Sequence, residues 1–240
     1  MPTFRHGKKT AVFLNGTDMS PFLNEATQTQ EIETAETTAF SDEDKTYITG
    51  LGDGTISTSG MFDSTAGASD PVLRGTIGQE DNTFTVLPEG STSGSRAVIA
   101  NGQLTSYEVS SPVGDVVAIS AEVQADGGLY SGVALSGLDT VSASAGTTAS
   151  VDNSAATSNG ALANLHVTEN DRDGAATFKV QHSSDGNTWA DLITFTSVSA
   201  STTSGESVTS TGTVNRYLRG SYSLAGSSGS VTYILTAARR

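Results

Sequence analysis

The chain has 240 residues, no cysteine, 6% aromatic and 16% charged residues, and a formal charge of −14. Lack of cysteine removes disulfides, thiolate metal sites and cysteine nucleophiles, and an acidic surface repels nucleic-acid phosphates and anionic membranes. A chain this long buries roughly 70% of its unfolded surface, so one large domain or two smaller ones need no covalent staple. The charge is uneven: residues 1–138 hold 18 acidic against 6 basic side chains, and residues 139–240 hold 8 against 6. Gly, Ser, Thr and Ala dominate, which favours strands and turns over long helices. No apolar run approaches the ~20 residues that span a bilayer. The apolar run near the N-terminus is only four residues, Ala11 to Leu14; this is too short for a signal core and predicts synthesis in the cytoplasm without Sec export.

In chain order, residues 10–14 read as a strand running into Asn15-Gly16, a hairpin signal. Asn15-Gly16-Thr17 also fits a glycosylation acceptor, read here as a turn. Ser20-Pro21 predicts a helical turn over 21–24 with Ser20 as N-cap. Residues 27–40, TQTQEIETAETTAF, read as a strand with Glu31, Glu33 and Ala35 on one face and Ile32, Thr34 and Glu36 on the other. The acidic run SDEDK, 41–45, is a loop, followed by a strand from Tyr47. In LGDGTISTSGMFD, 51–63, Asp53-Gly54 predicts a two-residue hairpin turn, since both central residues of such a turn need positive φ. Beyond it Ile56, Thr58, Gly60 and Phe62 share one face and Ser57, Ser59 and Met61 the other. One helix is expected at about 70–77, capped by Ser69 or Asp70, opened by Pro71 and closed by Gly78, with Val72, Leu73 and Ile77 toward the core.

Strands are then predicted at 83–87, 95–100, 104–109 and 115–123, and Gly127-Gly128 predicts a turn into a strand at 129–135. Residues 137–160 are small and polar without periodicity, either a linker or weak edge strands. Six strands follow, at 162–168, 177–182, 192–195, 207–211, 216–223 and 231–237, with no helix between them, as in a β-sandwich. The fold class expected is all-β: a sandwich or barrel with one short helix over 1–138, a polar segment over 139–160 and a second β-sandwich over 161–240.

The sequence offers no catalytic constellation. His6, His166 and His182 are scattered, there is no G-x-S-x-G elbow and no phosphate-binding glycine loop, so no enzyme, cofactor or metal is expected. Glu169 to Gly174, ENDRDG, has acids at alternating positions like a calcium loop, but the position of the expected bidentate Glu is Val180. An acidic turn is the better reading. Ser183 to Trp189, SSDGNTW, resembles the Asp-box of sialidases with one residue missing, and reads as a turn over a core Trp, with Tyr217, Tyr222 and Tyr233 also assigned to the core.

The order of residues 8–63 is more informative. Gly16, Asp18, Ser20, Leu23 and Asn24 fill a G-x-D-x-S-x-x-L-N pattern. Gly50, Asp53, Gly54, Ser57, Gly60, Phe62 and Asp63 fill G-x-x-D-G-x-x-S-x-x-G-x-F-D, with a Glu/Thr strand and an acidic loop between the two. Over about the first 138 residues the chain resembles the major tail proteins, or tail tube proteins, of long-tailed non-contractile bacteriophages. The resemblance implies a structural virion protein of the tail, in which six-membered rings stack into a tube and sheets join into a barrel around a lumen that DNA crosses without tight binding. It implies self-association and contacts with tape measure, tail terminator and baseplate proteins. Under it Glu31, Glu33 or Glu36 is expected to face the lumen, and Asp42, Glu43, Asp44 and Lys45 with the Asp53-Gly54 tip to touch the next ring. The competing readings are a capsid decoration or other β-rich virion protein, and a carbohydrate-binding module built on the second lobe and Trp189.

Overall fold

The computed structural model describes residues 4–240; the first three residues of the predicted 1–138 domain lie outside the described residues. The alternating Ser/Thr-rich segments fold into antiparallel strands stacked in four layers around three apolar cores. The first layer holds β3 (Leu23–Glu36), β4 (Tyr47–Met61), the first half of β7 (Ala118–Ala134) and the second half of β6 (Arg96–Ser110). Its inner face presents Ile56, Leu104, Ile119, Ala121 and Val123. Leu73 of α1 (Ser69–Thr76) covers them, together with Val12 and Leu14 of β1 (Ala11–Leu14) and Phe84 and Val86 of β5 (Asn82–Leu87).

β1, β5 and the remaining halves of β6 and β7 form the second layer, with β2 (Thr17–Asp18) at its edge. The third comprises β16 (Val231–Arg239), β11 (Ala161–Asn170) and β14 (Ser204–Ser210), with β8 (Asp139–Val141) beside β16. β16 also pairs with β7 through Thr236–Ala134 and Ala237–Val133, so one eleven-stranded sheet passes through the first three layers and across residue 138. The fourth layer is a separate five-stranded sheet of β9 (Ala145–Thr147), β10 (Val151–Asp152), β15 (Tyr217–Leu224), β12 (Ala176–Ser183) and β13 (Ala190–Thr194). The 137–160 segment thus supplies edge strands to two sheets.

A strand between two cores must be apolar on both faces. In β11, Ala163, Leu165 and Val167 pack toward Phe178, Leu218 and Tyr233, while Leu162 turns the other way to Phe13, Ile99 and Ile234. Asn164 and His166 lie on that second face, fully buried and fully bonded. Asn164 Nδ2 donates to the Phe84 carbonyl at 2.7 Å, and its Oδ1 accepts from Ser207 Oγ at 2.8 Å. His166 Nδ1 accepts the Gly16 N–H at 3.2 Å, Nε2 lies 2.9 Å from Thr85 Oγ1, and the Phe13 ring stands 5.6 Å away. Such pairings penalise any one-residue slip of β11 against the second layer.

Several local expectations hold. β1 turns through Asn15 and Gly16, both at positive φ, into β2. The six C-terminal strands form in the expected order. Others are corrected. Asp53-Gly54 is not a turn: both lie inside β4, and the hairpin turns instead through residues 37–46. Gly54 is there for clearance, because a Cβ would meet Leu129 Cγ at 2.7 Å and Leu129 N at 3.0 Å. Gly127-Gly128, both at positive φ, make a bulge within the continuous β7 rather than a turn, and the two strands expected at 95–109 are one, β6. Ser20-Pro21 opens no helix, since the chain turns once and enters β3 at Leu23. In α1 the N-cap is Ala68, and Ser69 Oγ instead donates to the Met61 carbonyl at 2.8 Å. Leu73 is buried, but Ile77, just past the helix, is 43% exposed.

Candidate functional site

The histidines do not converge. His6 accepts from Lys8 N on an exposed turn, His182 accepts from Asn215 N, and His166 has both ring nitrogens engaged in the interior. Burial holds His166 neutral, its pKa pushed down to about 3. The acidic turn at 169–174 closes on the chain itself. Asp171 accepts from the backbone and hydroxyl of Ser230, and Asp173 from the backbone N–H groups of Ser227 and Ser228, bonds that hold both carboxyls below the usual range. Between them Arg172 is buried and donates to the carbonyls of Ser142, Ala225, Gly226 and Gly229. Among the described residues no three His, Asp or Glu side chains are grouped as metal ligands.

The Ser183–Trp189 turn is organised by Asp185, which accepts the N–H groups of Thr188 at 2.8 Å and Asn187 at 2.9 Å. These bonds hold its carboxyl down at about 2. Trp189 is not in the core. It lies half-buried with the Arg219 guanidinium 4.1 Å from its ring centre. Arg219 donates to Gln181, Gln181 to Asp191, and Lys179 also to Asp191, so these polar groups satisfy one another. Tyr222 and Tyr233 face the core as expected, whereas Tyr217 is on the opposite side of β15, beside Gly186.

The outer face of the first layer is polar and acidic. Residues paired directly across an antiparallel ladder project to the same side. One row runs Glu25, Ser59, Ser120, Glu108, a second Thr27, Ser57, Glu122, Ser106, and Glu31 stands opposite Asp53. Alternation along β3 adds Glu33. Glu25, Glu31, Glu33, Asp53, Glu108 and Glu122 therefore share a face with Ser, Thr and Gln, and that face carries no Lys or Arg. Glu36 lies on the opposite side, where its carboxylate accepts from Lys45 Nζ at 3.0 Å. Glu25, Glu108 and Glu122 were not singled out from sequence, although Ser106-x-Glu108-x-Ser110 and Ser120-x-Glu122-x-Gln124 carry the signal.

This layer has two edges without a partner strand among the described residues. One is the outer edge of β3; the other is β6 beyond Leu104, where pairing with β5 has ended, a bridge to Ile77 is the last backbone pairing, and only the side chain of Tyr107 reaches α1, donating to Asp70 at 2.7 Å. Because the four strands alternate in direction, β3 and the far edge of β6 run antiparallel.

β4 leaves β7 at Thr55, and from there β3 and β4 continue alone as a two-stranded ribbon closed by residues 37–46. Every residue from 29 to 53 is exposed. That includes Leu51 at 78%, Ile48 at 58%, Ile32 at 57% and the fully exposed Phe40. Asp42, Glu43, Asp44 and Lys45 sit at the ribbon's tip, where Asp42 caps the turn by accepting from Ala39 N at 2.8 Å. Asp53 and Gly54 lie at its base, with Gln124 donating to the Asp53 carboxylate. The structure therefore separates these two groups along the ribbon.

No family model matches the chain. No curated protein matches it. Among solved structures it is similar to a chain in the virion of a native gene transfer agent particle, with 17% identity, 52% of this chain and 97% of that chain covered, and a TM-score of 0.44. It is similar also to a chain in the tail of an empty gene transfer agent particle refined with C6 symmetry, at 16% identity, the same 52% and 97% coverage and a TM-score of 0.42. The Dit protein of SPP1, described as a hub adsorption apparatus of phages infecting Gram-positive hosts, aligns at 12% identity over 95% of this chain and 98% of its own, with a TM-score of 0.36.

Proposed function

We propose that the protein is a structural subunit of a phage tail that self-associates into stacked six-membered rings, forming the tube through which DNA passes. The observation that carries this reading is the carboxylate-lined face of a four-stranded sheet open at both edges. Joining the β6 edge of one copy to the β3 edge of the next continues the antiparallel ladder and removes both edges from solvent, as closure into a barrel does. Glu25, Glu31, Glu33, Asp53, Glu108 and Glu122 then line the lumen. DNA slides past such a wall because like charges give no counterion release. The number six and the contacts with tape measure, terminator and baseplate proteins come from the sequence resemblance.

In this arrangement the exposed ribbon reaches the next ring, with Asp42–Lys45 at the contact. The fourth layer, at the far side of the stack from the acidic face, lies on the outside of the tube. Negative-stain electron microscopy of the purified protein over a concentration series tests the reading. Rings or hollow tubes are expected, and uniform small particles at every concentration would count against it. Deleting residues 42–45 is expected to stop tube extension, and normal tubes from that variant would remove the ribbon tip from the ring-to-ring contact. Charge reversal of Glu31 and Glu33 is expected to leave rings intact while slowing DNA passage. Unchanged infectivity would remove the lumen assignment.

A further inference from the structure

Beside the free edge of β3 lies a groove of about 490 Å³, lined by His6, Lys8, Ser20, Leu23 and Ala26, with Glu25 its one carboxylate. We propose that this groove is the socket for the β6–β7 loop, residues 111–117, of the neighbouring copy in the ring. The proposal rests on the ring reading above and adds to it a specific contact.

Ladder register sets the position. Glu25 pairs with Ser59, Ser59 with Ser120, and Ser120 with Glu108, so the start of β3 and the end of β6 stand at the same height on opposite edges of the layer. When the two edges of successive copies meet, the loop leaving the end of β6 arrives beside the groove at the start of β3. The loop has an uncovered apolar surface, with Val113 fully exposed and Val116 at 63%. The groove offers Leu23 and Ala26 to it.

Charge matches as well. Arg5, Lys8 and Lys9 are three of the six basic residues in the first 138; Arg5 is paired with Glu89 at 3.8 Å, and Lys8 lines the groove itself. Neither Lys8 nor Lys9 has a carboxylate at ion-pair distance among the described residues. The loop brings Asp115, with Glu108 just before it on β6. A basic cluster at one edge and acidic groups at the same height on the other favour head-to-tail closure over like-to-like pairing of edges.

The absence of native cysteine makes a crosslinking test specific. In assembled protein, Lys8→Cys with Asp115→Cys and a short bis-maleimide is expected to give a ladder of covalent multimers in denaturing gels. Ser184→Cys with Asp115→Cys, which pairs the loop with the fourth layer on the outside of the tube and spans no proposed contact, is expected to give none. Lys8→Glu is expected to raise the concentration for half-assembly about tenfold, and adding Asp115→Lys to restore it. All three positions are exposed, and circular dichroism checks that each variant is folded. Rings that form without the ladder, or that form equally well with Lys8→Glu, overturn the socket and leave the ring reading standing. Protein that stays monomeric at every concentration overturns both.

Discussion

β11 and the β3–β4 ribbon are both long antiparallel strand elements, and they stand at opposite extremes of burial. Residues 161–167 are buried without interruption because cores lie on both sides, whereas residues 29–53 are exposed throughout because none does. An isolated two-stranded ribbon in water is marginal at best, yet this one carries Ile32, Tyr47, Ile48 and Leu51 in the open. The difference teaches where the molecule is finished by its own chain and where it is completed from outside. Among the described residues the third and fourth layers leave no large apolar side chain fully in the open, whereas the ribbon leaves several.

Substitutions that act on one region and spare the other sharpen this contrast. Phe178 is fully buried against Tyr233, ring centres 4.6 Å apart. Phe178→Ala is expected to cost about 3–5 kcal/mol in denaturant unfolding. A smaller but distinctive loss comes from acid. The unfolded chain protonates His166 near its ordinary value of 6.5, the folded chain only at about 3. Its contribution is therefore complete above pH 6.5 and drains away as pH falls toward 3, by on the order of a few kcal/mol. Unfolding midpoints measured from pH 7 to 4 should fall less steeply in His166→Gln, which carries no titrating group. Gly54→Ala, at the ribbon's base, is expected to cost about 1–3 kcal/mol through collision with Leu129. Least affected in the monomer is Leu51→Ser, expected within about 0.5 kcal/mol of the parent by chemical unfolding. Its effect should appear in the concentration at which larger species form, and a large fall in monomer stability would show that the ribbon is packed after all.

The sequence revealed these regions unequally. In ALANLHVTEN alternation makes β11 legible as a strand, but Asn164 and His166 hide its burial on both faces, and Asn15-Gly16 names the β1–β2 turn directly. Asp53-Gly54 misleads because the same dipeptide serves two purposes: a turn needs its backbone freedom, while β4 needs only a missing Cβ beneath Leu129. Gly127-Gly128 misleads likewise, since positive φ at two residues fits a bulge as well as a hairpin. Half of the acidic face was hidden for another reason. Glu25, Glu108 and Glu122 come from three strands far apart in sequence, and only the pairing register, which local alternation does not contain, places them together.

The exposed ribbon also bears on time. A ribbon held only by its own cross-strand bonds samples many shapes, and docking it fixes those shapes at an entropic cost. If copies stack through it, the first docking event is the least favourable, whereas each later copy meets a surface that is already ordered. Growth would then show a lag at low concentration that a preformed end abolishes, and tube length would be governed by the supply of starting ends rather than by affinity.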